Sequence, residues 1–580
     1  MLTYSNIWWE GSLELNCNKK KGFTLIELLA VIVILAIIAV IATPIITGII
    51  EDAKKESFKR SAEGVVEATK FDIADKMTDS GYTYTLSDGK IVNLNENVKI
   101  SNSKGMNGSI KYNKDGEVSY AIYNDKWCVI KEGNDVTLSN NIDKCVIVNP
   151  YKEEILNGTY PVLDEKMIAI TYTETGIPKV ADESSEWYSY ASRKWANAIV
   201  LVNNPSKTYN VGDEIEESDI AAYFAWIPRY EYTLKGNFGV NGESKTNPGY
   251  VDIRFTNVSE ESNGTASYTE GNPANYRTQD AFKFGEENLL GIWVGKFETT
   301  GSADNPTIKP GITSLRNQDV STQFETAKKI GINNSLSLET SMMKNSEWNA
   351  VAILSQSIYG RCPSDSTCPE VALNNNSNFI TGSATTDGVQ GKSYNPSKGL
   401  NDKVVPMVTG GSGSTNVVSY NSEEGMKAST TMNVTGVYDM YGGASEWVMG
   451  VLLDSDGKPR SGNSEEYNSG YNGKIYNGGT EIEKTDGLAL PESKYYDSFT
   501  ITGENTKVDL MTGCNGGKCY GTVEFGGWYD DGSYSINPAN PWLFRGGCYD
   551  DGAKAGLWDF GGVGGNADGY TSFRAVIRGV

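Results

Sequence analysis

A long apolar run near the N-terminus dominates the pattern of hydrophobic and polar positions. Residues 28–50 carry no charge, and the basic group 19–21 and a single carboxylate, Glu27, precede them. At about 1.5 Å per residue, a helix of this length crosses the roughly 30 Å hydrocarbon core of a bilayer. Helical spacing continues beyond Ile50 and predicts a helix that ends near Ser80. Its expected apolar face consists of Phe58, Ala62, Val65, Val66, Ala68 and Ala74.

Short alternating runs follow the helix. Residues 116–123 and 127–130 alternate as strands do, with Asp-Gly pairs as turn signals, and two aromatic strands at 223–233 and 291–299 lie among loops rich in Asn, Gly and Ser. The expected fold class is therefore α+β. The predicted domains are a leader at 1–22, a helix at 23–80 with a transmembrane part at 28–50, a small β-rich head at 81–150, a linker or transition at 151–214, and a large loop-rich domain at 215–580.

Composition narrows the possible functions. The net charge of −22 over 580 residues offers no basic face to phosphates, so we expect no nucleic-acid partner. The chain contains no His, which removes the commonest general base and the imidazole metal ligands, and we expect no enzymatic activity and no cofactor. Calcium could bind among the Asp and Asn loops, although no D-x-[DN]-x-[DN]-G pattern supports it.

The eight cysteines suggest local disulfides, although spacing does not fix their connectivity. Cys17 belongs to the leader, and an extracytoplasmic location would permit the others to be oxidised. Cys548 is left over, as a free thiol or an intermolecular link. Metal sites are the alternative for the C-x5-C and C-x4-C spacings. Pairing by nearness gives the candidate disulfides Cys128 with Cys145, Cys362 with Cys368, and Cys514 with Cys519.

The segment KKKGFTLIELLAVIVILAIIAVIATPIITGII resembles the class III signal of type IV pilins and pseudopilins. The resemblance implies cleavage after Gly22, N-methylation of Phe23, Glu27 as the fifth mature residue and Pro44 as a helix-kinking position. It also implies a prepilin peptidase and methylase as processing partners, a single-pass state in the cytoplasmic membrane with the bulk outside, and later packing with other pilin subunits at the cell surface. An ordinary transmembrane anchor or uncleaved signal is the alternative. Residues 1–18 are longer and less basic than the usual pilin leader, which suggests a start codon assigned too early.

Four segments of the large domain occur in a recognisable order: Trp293–Thr299, Asn345–Val351, Gly436–Trp447, and Phe544–Gly547 with Ser572–Arg574. Together they resemble the formylglycine-generating-enzyme-like family, a variant of the C-type lectin fold, and imply a C-type-lectin-like domain over 215–580. Glu446 and Arg545 are expected to form a buried pair that ties loops together. The structural motif residues are Trp348, Tyr438, Glu446, Trp447, Arg545, Gly546, Gly547, Phe573 and Arg574.

The catalytic members of that family carry a cysteine pair shortly after the Arg-Gly-Gly segment. Here Cys548 follows directly, no second Cys occurs before Val580, and Cys514 and Cys519 precede Arg545. The end of the chain instead resembles the variable proteins of diversity-generating retroelements, which display ligand-binding residues there; a plain Gly-rich terminal loop is the alternative. The candidate contact residues are Cys548, Tyr549, Asp550, Asp551, Leu557, Asp559 and Tyr570.

These patterns predict a surface-displayed pilin-like minor or tip subunit, or adhesin, whose lectin-like domain binds an unknown external protein or glycan. The sugar-binding calcium motifs Glu-Pro-Asn and Gln-Pro-Asp are absent, so "lectin-like" describes only the expected fold. Two alternatives remain open. One is a formylglycine-generating-type oxidase, and the other is a ligand-free pseudopilin of a secretion or DNA-uptake system.

Overall fold

The computed structural model divides the chain into two compact units. The first is Met1–Ile147 without two short segments, and the second is Val148–Val580 together with those segments, Met77–Gly81 and Tyr112–Glu117. The residues that the structure describes are 25–70, 72–73, 76, 82–91, 100, 102–112, 116–132, 135–140, 142, 145, 151–235, 250–264, 276–362, 368, 370–384, 393–394, 404–405, 413–453, 475–477, 480–482, 490–500, 528–534, 536 and 540–579.

The described residues of the first unit form one long helix and a six-stranded sheet. The helix α1 spans Leu25–Lys70, and its backbone stays helical through Pro44. The sheet has the order β2-β1-β3-β4-β5-β6. Its strands are β1 Tyr82–Ser87, β2 Lys90–Ile91, β3 Asn107–Tyr112, β4 Val118–Tyr123, β5 Cys128–Glu132 and β6 Asp135–Ser139.

The two halves of α1 differ in exposure. The described apolar side chains between Leu25 and Leu35 are exposed, whereas the predicted apolar face is buried at Phe58, Ala62, Val65, Val66 and Ala68. The Phe58 ring lies 6.0 Å from that of Trp127, just before β5. Among the described side chains of the helix, those of its second half are the ones that pack against the rest of this unit. The remaining predicted face residue, Ala74, lies outside the described residues.

The helix ends at Lys70 rather than near Ser80, so the predicted end was too late. Just after the helix, the Asp72 carboxylate accepts a hydrogen bond from the Tyr84 hydroxyl at 2.9 Å and pairs with Lys76. The Tyr84 contact ties the end of the helix to β1. A disulfide joins Cys128 to Cys145 in the same unit, with 5.5 Å between the two Cα atoms.

Within the described part of the chain, no helix meets the length and hydropathy of a membrane span. The side chains of residues 27, 28 and 37–46 are outside that part.

The second unit is built on two large sheets, and its described residues include three helices, α2 Val320–Asn333, α3 Asn345–Ser355 and α4 Glu423–Met426. Its described strands are mostly short and antiparallel, in keeping with the α+β class. They are β7 Met167–Tyr172, β8 Pro178–Val180, β9 Asn197–Leu201, β10 Ile220–Pro228, β11 Tyr230–Lys235, β12 Tyr250–Phe255, β13 Arg277–Thr278, β14 Lys283–Phe284, β15 Glu287–Asn288, β16 Gly291–Gly295, β17 Thr300–Gly301, β18 Pro306–Thr307, β19 Thr340–Met342, β20 Ser383–Ala384, β21 Ser393–Tyr394, β22 Val404–Val405, β23 Val418–Ser419, β24 Ser445–Leu453, β25 Ile475–Asn477, β26 Thr480–Ile482, β27 Asp497–Thr500, β28 Trp542–Gly546, β29 Gly556–Val563, β30 Thr571–Phe573 and β31 Ala575–Gly579.

The central sheet has the order β19-β31-β16-β10-β9-β7-β8. It corrects the interpretation of residues 151–214 as a linker, because three of its strands come from that range. In β9, Ala198 and Ile199 are fully buried and pair with Phe224 and Tyr223 of β10. A short apolar strand inside a polar stretch gives a weak sequence signal, yet here it is central to the core. The C-terminal strand β31 pairs with β16, so the sheet also needs the last residues of the chain.

The second large sheet has the order β27-β24-β28-β29, and β30 pairs with β24 in parallel. Every residue of β24 is buried. The two sheets share one hydrophobic core that includes Trp293, Trp348 and Trp447. The motif residues of the sequence analysis lie in this core or beside it, and all of them are buried.

The expected pair of Glu446 with Arg545 does not form, although the two residues face each other in the β24–β28 register. Glu446 instead accepts two hydrogen bonds from Arg574, from Nε at 3.0 Å and from Nη2. Arg545 donates from Nη1 to the side-chain oxygens of Asn345 and Asn349, at 2.8 and 2.7 Å. The parallel pairing of β30 delivers Arg574 to Glu446, and sequence spacing does not reveal that pairing.

A second buried ion pair joins Arg578 of β31 to Glu347 of α3, with Nε 2.9 Å from Oε1 and Nη2 3.0 Å from Oε2. The Cys362–Cys368 disulfide closes a small loop after α3. Cys17, Cys514 and Cys519 lie outside the described residues.

Candidate functional site

The end of the chain forms a surface from three segments. Strand β28 leads into Gly547 and the turn 548–551, and β29 leads into the loop 564–570 before β30. A distant loop around Phe379 packs against both. Fixed strands thus carry a set of loops, which is the usual construction of a binding site.

Two glycines shape the turn after β28. Gly546 and Gly547 have φ values of +84° and +66°, which L side chains rarely adopt. A Cβ on Gly547 would lie 2.7 Å from the Cα of Ala555, so side-chain rearrangement could not relieve the contact. The Arg-Gly-Gly segment therefore has a structural role in positioning residues 548–551.

We expect Gly547→Ala to destabilise the second unit more than Gly311→Ala does. Gly311 has a similar φ of +73°, but a Cβ added there would meet no atom within 4 Å, so it isolates the cost of the left-handed conformation, about 1–2 kcal/mol. The additional loss of stability in Gly547→Ala, compared with Gly311→Ala, measures the steric conflict with Ala555. Urea unfolding followed by tryptophan fluorescence measures both, and equal losses would contradict the steric argument.

Three aromatic rings and one arginine form a continuous group, here called the aromatic surface: Arg316, Phe379, Tyr549 and Tyr570. The Tyr549 ring lies edge-on to Phe379 with centroids 4.9 Å apart, and the Tyr570 ring lies 5.9 Å from Phe379. The Arg316 guanidinium stacks on Phe379, with Cζ 3.7 Å from the ring centroid, and donates to the carbonyl of Gly569. Tyr570 is 50% exposed, Tyr549 is half-buried and Phe379 is only 7% exposed, so Phe379 supports the two tyrosines from beneath.

Loop hydrogen bonds fix Tyr570. Asp568 accepts from the Tyr570 backbone N–H at 2.9 Å and from the Thr571 hydroxyl at 3.2 Å. Its carbonyl accepts from the Asn317 N–H at 2.9 Å, next to Arg316. The aromatic surface is thereby held by contacts between segments that are far apart in the chain.

Cys548 lies beside two carboxylates. Its Sγ donates to Asp550 Oδ1 at 2.9 Å and to Asp551 Oδ2 at 3.2 Å, and its N–H donates to Asp551 Oδ2 at 2.8 Å. Burial, followed by these hydrogen bonds and negative charges, raises the pKa of the thiol far above its usual value. The thiol stays protonated at neutral pH, and a protonated thiol is a poor nucleophile.

The same three residues could offer ligand atoms to a metal ion, because those atoms lie within 4.8 Å of one another. Asp550 and Asp551 are exposed, and their contacts with Cys548 already explain the arrangement. A carboxylate pair suits hard cations and a thiolate suits soft ones, so the set matches no single metal well.

The structure separates the candidate contact residues into two groups. Tyr549, Asp550, Asp551 and Tyr570 reach the surface, wholly or in part. Leu557 and Asp559 are only 1% and 3% exposed, and Cys548 is also buried. The prediction of these three as contacts was wrong, because β29 is covered on both faces and Cys548 points inward to its own turn.

Arg316 and Phe379 were missed by the sequence analysis. They precede Tyr549 by more than 150 residues, and no local pattern connects them to the C-terminal segment. Phe379 has a φ of +55°, which is unusual for an aromatic residue and places its ring under the two tyrosines. A strained backbone of this kind often accompanies a functional surface, but it cannot be recognised from the amino acid type.

The processing residues Gly22 and Phe23 lie outside the described residues, and Glu27 lies in the first turns of α1. A comparison with protein families matches residues 17–43 to the prokaryotic N-terminal methylation motif. No curated protein matches the chain.

The methylation motif is that of type IV pilins, and it indicates a pilus-related subunit of the cell surface. It implies cleavage by a prepilin peptidase, a membrane-anchored state and assembly with other pilins. The match spans residues 17–43 and ends within α1, so it carries no information about the second unit.

Proposed function

We propose that this chain is a surface-displayed minor or tip subunit of a pilus, an adhesin whose second unit binds an external protein or glycan. The observation that carries the proposal is the aromatic surface at the end of the chain. The methylation motif supports it by directing the chain to the surface and to pilin assembly. A minor position suits the bulk of the second unit, which would be hard to repeat along a thin filament.

The chemistry of the aromatic surface favours ligand binding. Tyrosine side chains bury a large area and lose little rotamer freedom, and their hydroxyls can bond to a polar partner. Tyr549 and Tyr570 rest on Phe379 and on the stacked Arg316, so they are pre-organised. Asp550 and Asp551 are exposed beside Tyr549 and form an acidic rim.

The proposal includes the C-type-lectin-like, formylglycine-generating-enzyme-like fold for the second unit and a C-terminal region similar to the variable proteins of diversity-generating retroelements. It also includes the absence of a catalysed reaction. The buried, protonated thiol of Cys548 supports a binding role, since thiol chemistry needs an accessible thiolate. The charged N-terminal leader and the apolar run supply the single-pass membrane state before assembly.

We expect Tyr549→Ala combined with Tyr570→Ala to abolish adhesion of cells that display the full chain. Truncating two central aromatic contacts costs about 2 kcal/mol each, or roughly a thirtyfold loss of affinity per residue. Tyr534→Ala is the matched control, because Tyr534 is 54% exposed and has no ring contact with the aromatic surface among the described residues. Binding to arrays of surface proteins and glycans measures the effect. An equal loss in Tyr534→Ala, or full binding by the double variant, would refute this site.

The two alternatives make different predictions in the same cells. An oxidase of the formylglycine-generating type would convert a cysteine-containing substrate peptide, and Cys548→Ser would stop the conversion. A ligand-free pseudopilin would support secretion or DNA uptake and bind nothing on the arrays. Removing residues 148–580 distinguishes the adhesin, because adhesion that survives this deletion does not come from the second unit.

A further inference from the structure

Lys296 is a buried lysine whose side chain has no carboxylate partner among its described contacts. It follows β16 and is 0% exposed. Its Nζ donates to Asn197 Oδ1 at 2.6 Å and to the carbonyl of Val434. Burial lowers the pKa of Lys296 well below its usual value. A neutral amine has a free lone pair, so burial prepares this group as a nucleophile.

Asn197 presents its carboxamide to that nitrogen. It lies on β9, is 1% exposed and is separated from Lys296 by strand β10. Since the C=O bond is about 1.23 Å long, Lys296 Nζ lies at most about 3.8 Å from Asn197 Cγ. This is close to the separation of reacting atoms in a near-attack conformer.

Other groups around the carboxamide polarise and orient it. The Tyr172 hydroxyl donates to Asn197 Oδ1 at 2.7 Å. Asn197 Nδ2 donates to the carbonyls of Thr435 and Trp195 at 2.7 and 3.2 Å. The carbonyl oxygen therefore has a donor where negative charge would develop, and the amide nitrogen has acceptors of its own that orient the carboxamide.

We propose that Lys296 and Asn197 form an amide cross-link within the folded chain. The Lys296 nitrogen bonds to Asn197 Cγ, and the bond from Cγ to Nδ2 breaks. A proton passes from the attacking nitrogen to the leaving one, which departs as ammonia, and no oxidant or reductant is needed. Tyr172 stabilises the oxyanion of the intermediate through its hydroxyl group.

The cross-link would join two strands across β10, between positions 99 residues apart in the chain. It would covalently link three neighbouring strands of the central sheet of the second unit. A covalent link of this kind suits a protein that bears tension between a surface and its cell, and it is independent of the ligand proposed above.

The competing state is an ammonium ion that stays unreacted. Nζ lies 5.1 Å and 5.5 Å from the ring centroids of Tyr172 and Tyr438, contacts that favour a cation. The two states differ by a covalent bond, and mass spectrometry therefore separates them without ambiguity.

The test is peptide mapping of the full-length chain, purified in detergent from membranes and digested with trypsin. We expect a branched peptide that joins the segments around Asn197 and Lys296, lighter than the sum of its parts by one ammonia, and no cleavage after Lys296. Lys309 is the internal control. Its Nζ also lies 2.6 Å from a carbonyl, that of Glu217, but it is partly exposed and pairs with the Glu217 carboxylate, so its peptide should stay linear.

Variants make the result specific. Lys296→Met should give only linear peptides, Asn197→Asp should give the same cross-link with loss of water, and Tyr172→Phe should lower the cross-linked fraction. Linear, unmodified peptides at both positions in wild-type protein would overturn the proposal. That outcome is measured on wild-type protein, so it does not depend on whether any variant folds. Detecting the cross-link would neither support nor contradict the ligand-binding proposal, which has a separate test.

Discussion

Replacing Arg574 with Met is expected to remove about 3–5 kcal/mol from the stability of the second unit. Arg574 is fully buried and contacts Glu446 through two nitrogens. Although burial alone would lower the pKa of this guanidinium, the Glu446 contact raises it, and the nearby Asp439 and Glu298 carboxylates act in the same direction. Its loss leaves the Glu446 carboxylate buried without its cation and removes a positive charge close to Asp439 and Glu298. Since folded domains are stable by about 5–15 kcal/mol, much of the total would be lost.

Urea unfolding of the full chain, followed by the tryptophans of the core, measures this loss. A double variant with Glu446→Leu should recover part of it, because an apolar replacement of a whole buried pair is often neutral. Lys427→Met is the surface control, since Lys427 pairs with an exposed Glu424 and should change stability little. If Arg574→Met lost as little stability as the control, the proposed role of Arg574 as the buried partner of Glu446 would be wrong.

Changing Glu298 to Gln is expected to alter the pH dependence of stability. Burial, followed by the negative charges of Asp439 and Glu446, raises the pKa of Glu298 well above its usual value. The folded state therefore binds a proton that the unfolded state releases. The contribution of Glu298 is fully present below the unfolded pKa and is lost as the pH rises through the folded pKa, at about 1.4 kcal/mol per pH unit.

Glutamine resembles the protonated carboxyl, so Glu298→Gln should be more stable than wild type at pH 8 and similar at pH 4. In the wild-type protein the Ala444 N–H donates to Glu298 Oε1 at 2.9 Å. The amide oxygen of the introduced glutamine can accept the same hydrogen bond, so we expect the side chain to stay in the same position. Glu325→Gln serves as a control on α2, where burial also raises the pKa but two lysines oppose it. If the stability of wild type and that of Glu298→Gln changed with pH in the same way, Glu298 would be ionised in the folded protein, which would contradict the prediction.

Several features followed from the sequence because their signals are local. An uncharged apolar run after a basic group specifies a helix and a pilin-type N-terminus without any long-range contact, and residues 17–43 match the methylation motif. The buried face of α1 from Phe58 to Ala68 also follows from helical spacing. The α+β class and the burial of the Trp and Arg motif residues in the second unit agree with the expectation of a loop-rich core.

Tertiary structure alone decided which partners meet. Glu446 pairs with Arg574 because β30 lies beside β24, and Phe379 supports Tyr549 because two loops converge from distant parts of the chain. Strand pairing also brought residues 167–201 into the central sheet and buried Leu557 and Asp559 on a covered strand. Each outcome depends on register and on packing between segments far apart in sequence. The one-dimensional pattern determines which segments are apolar, but the pairing of strands determines which side chains face one another.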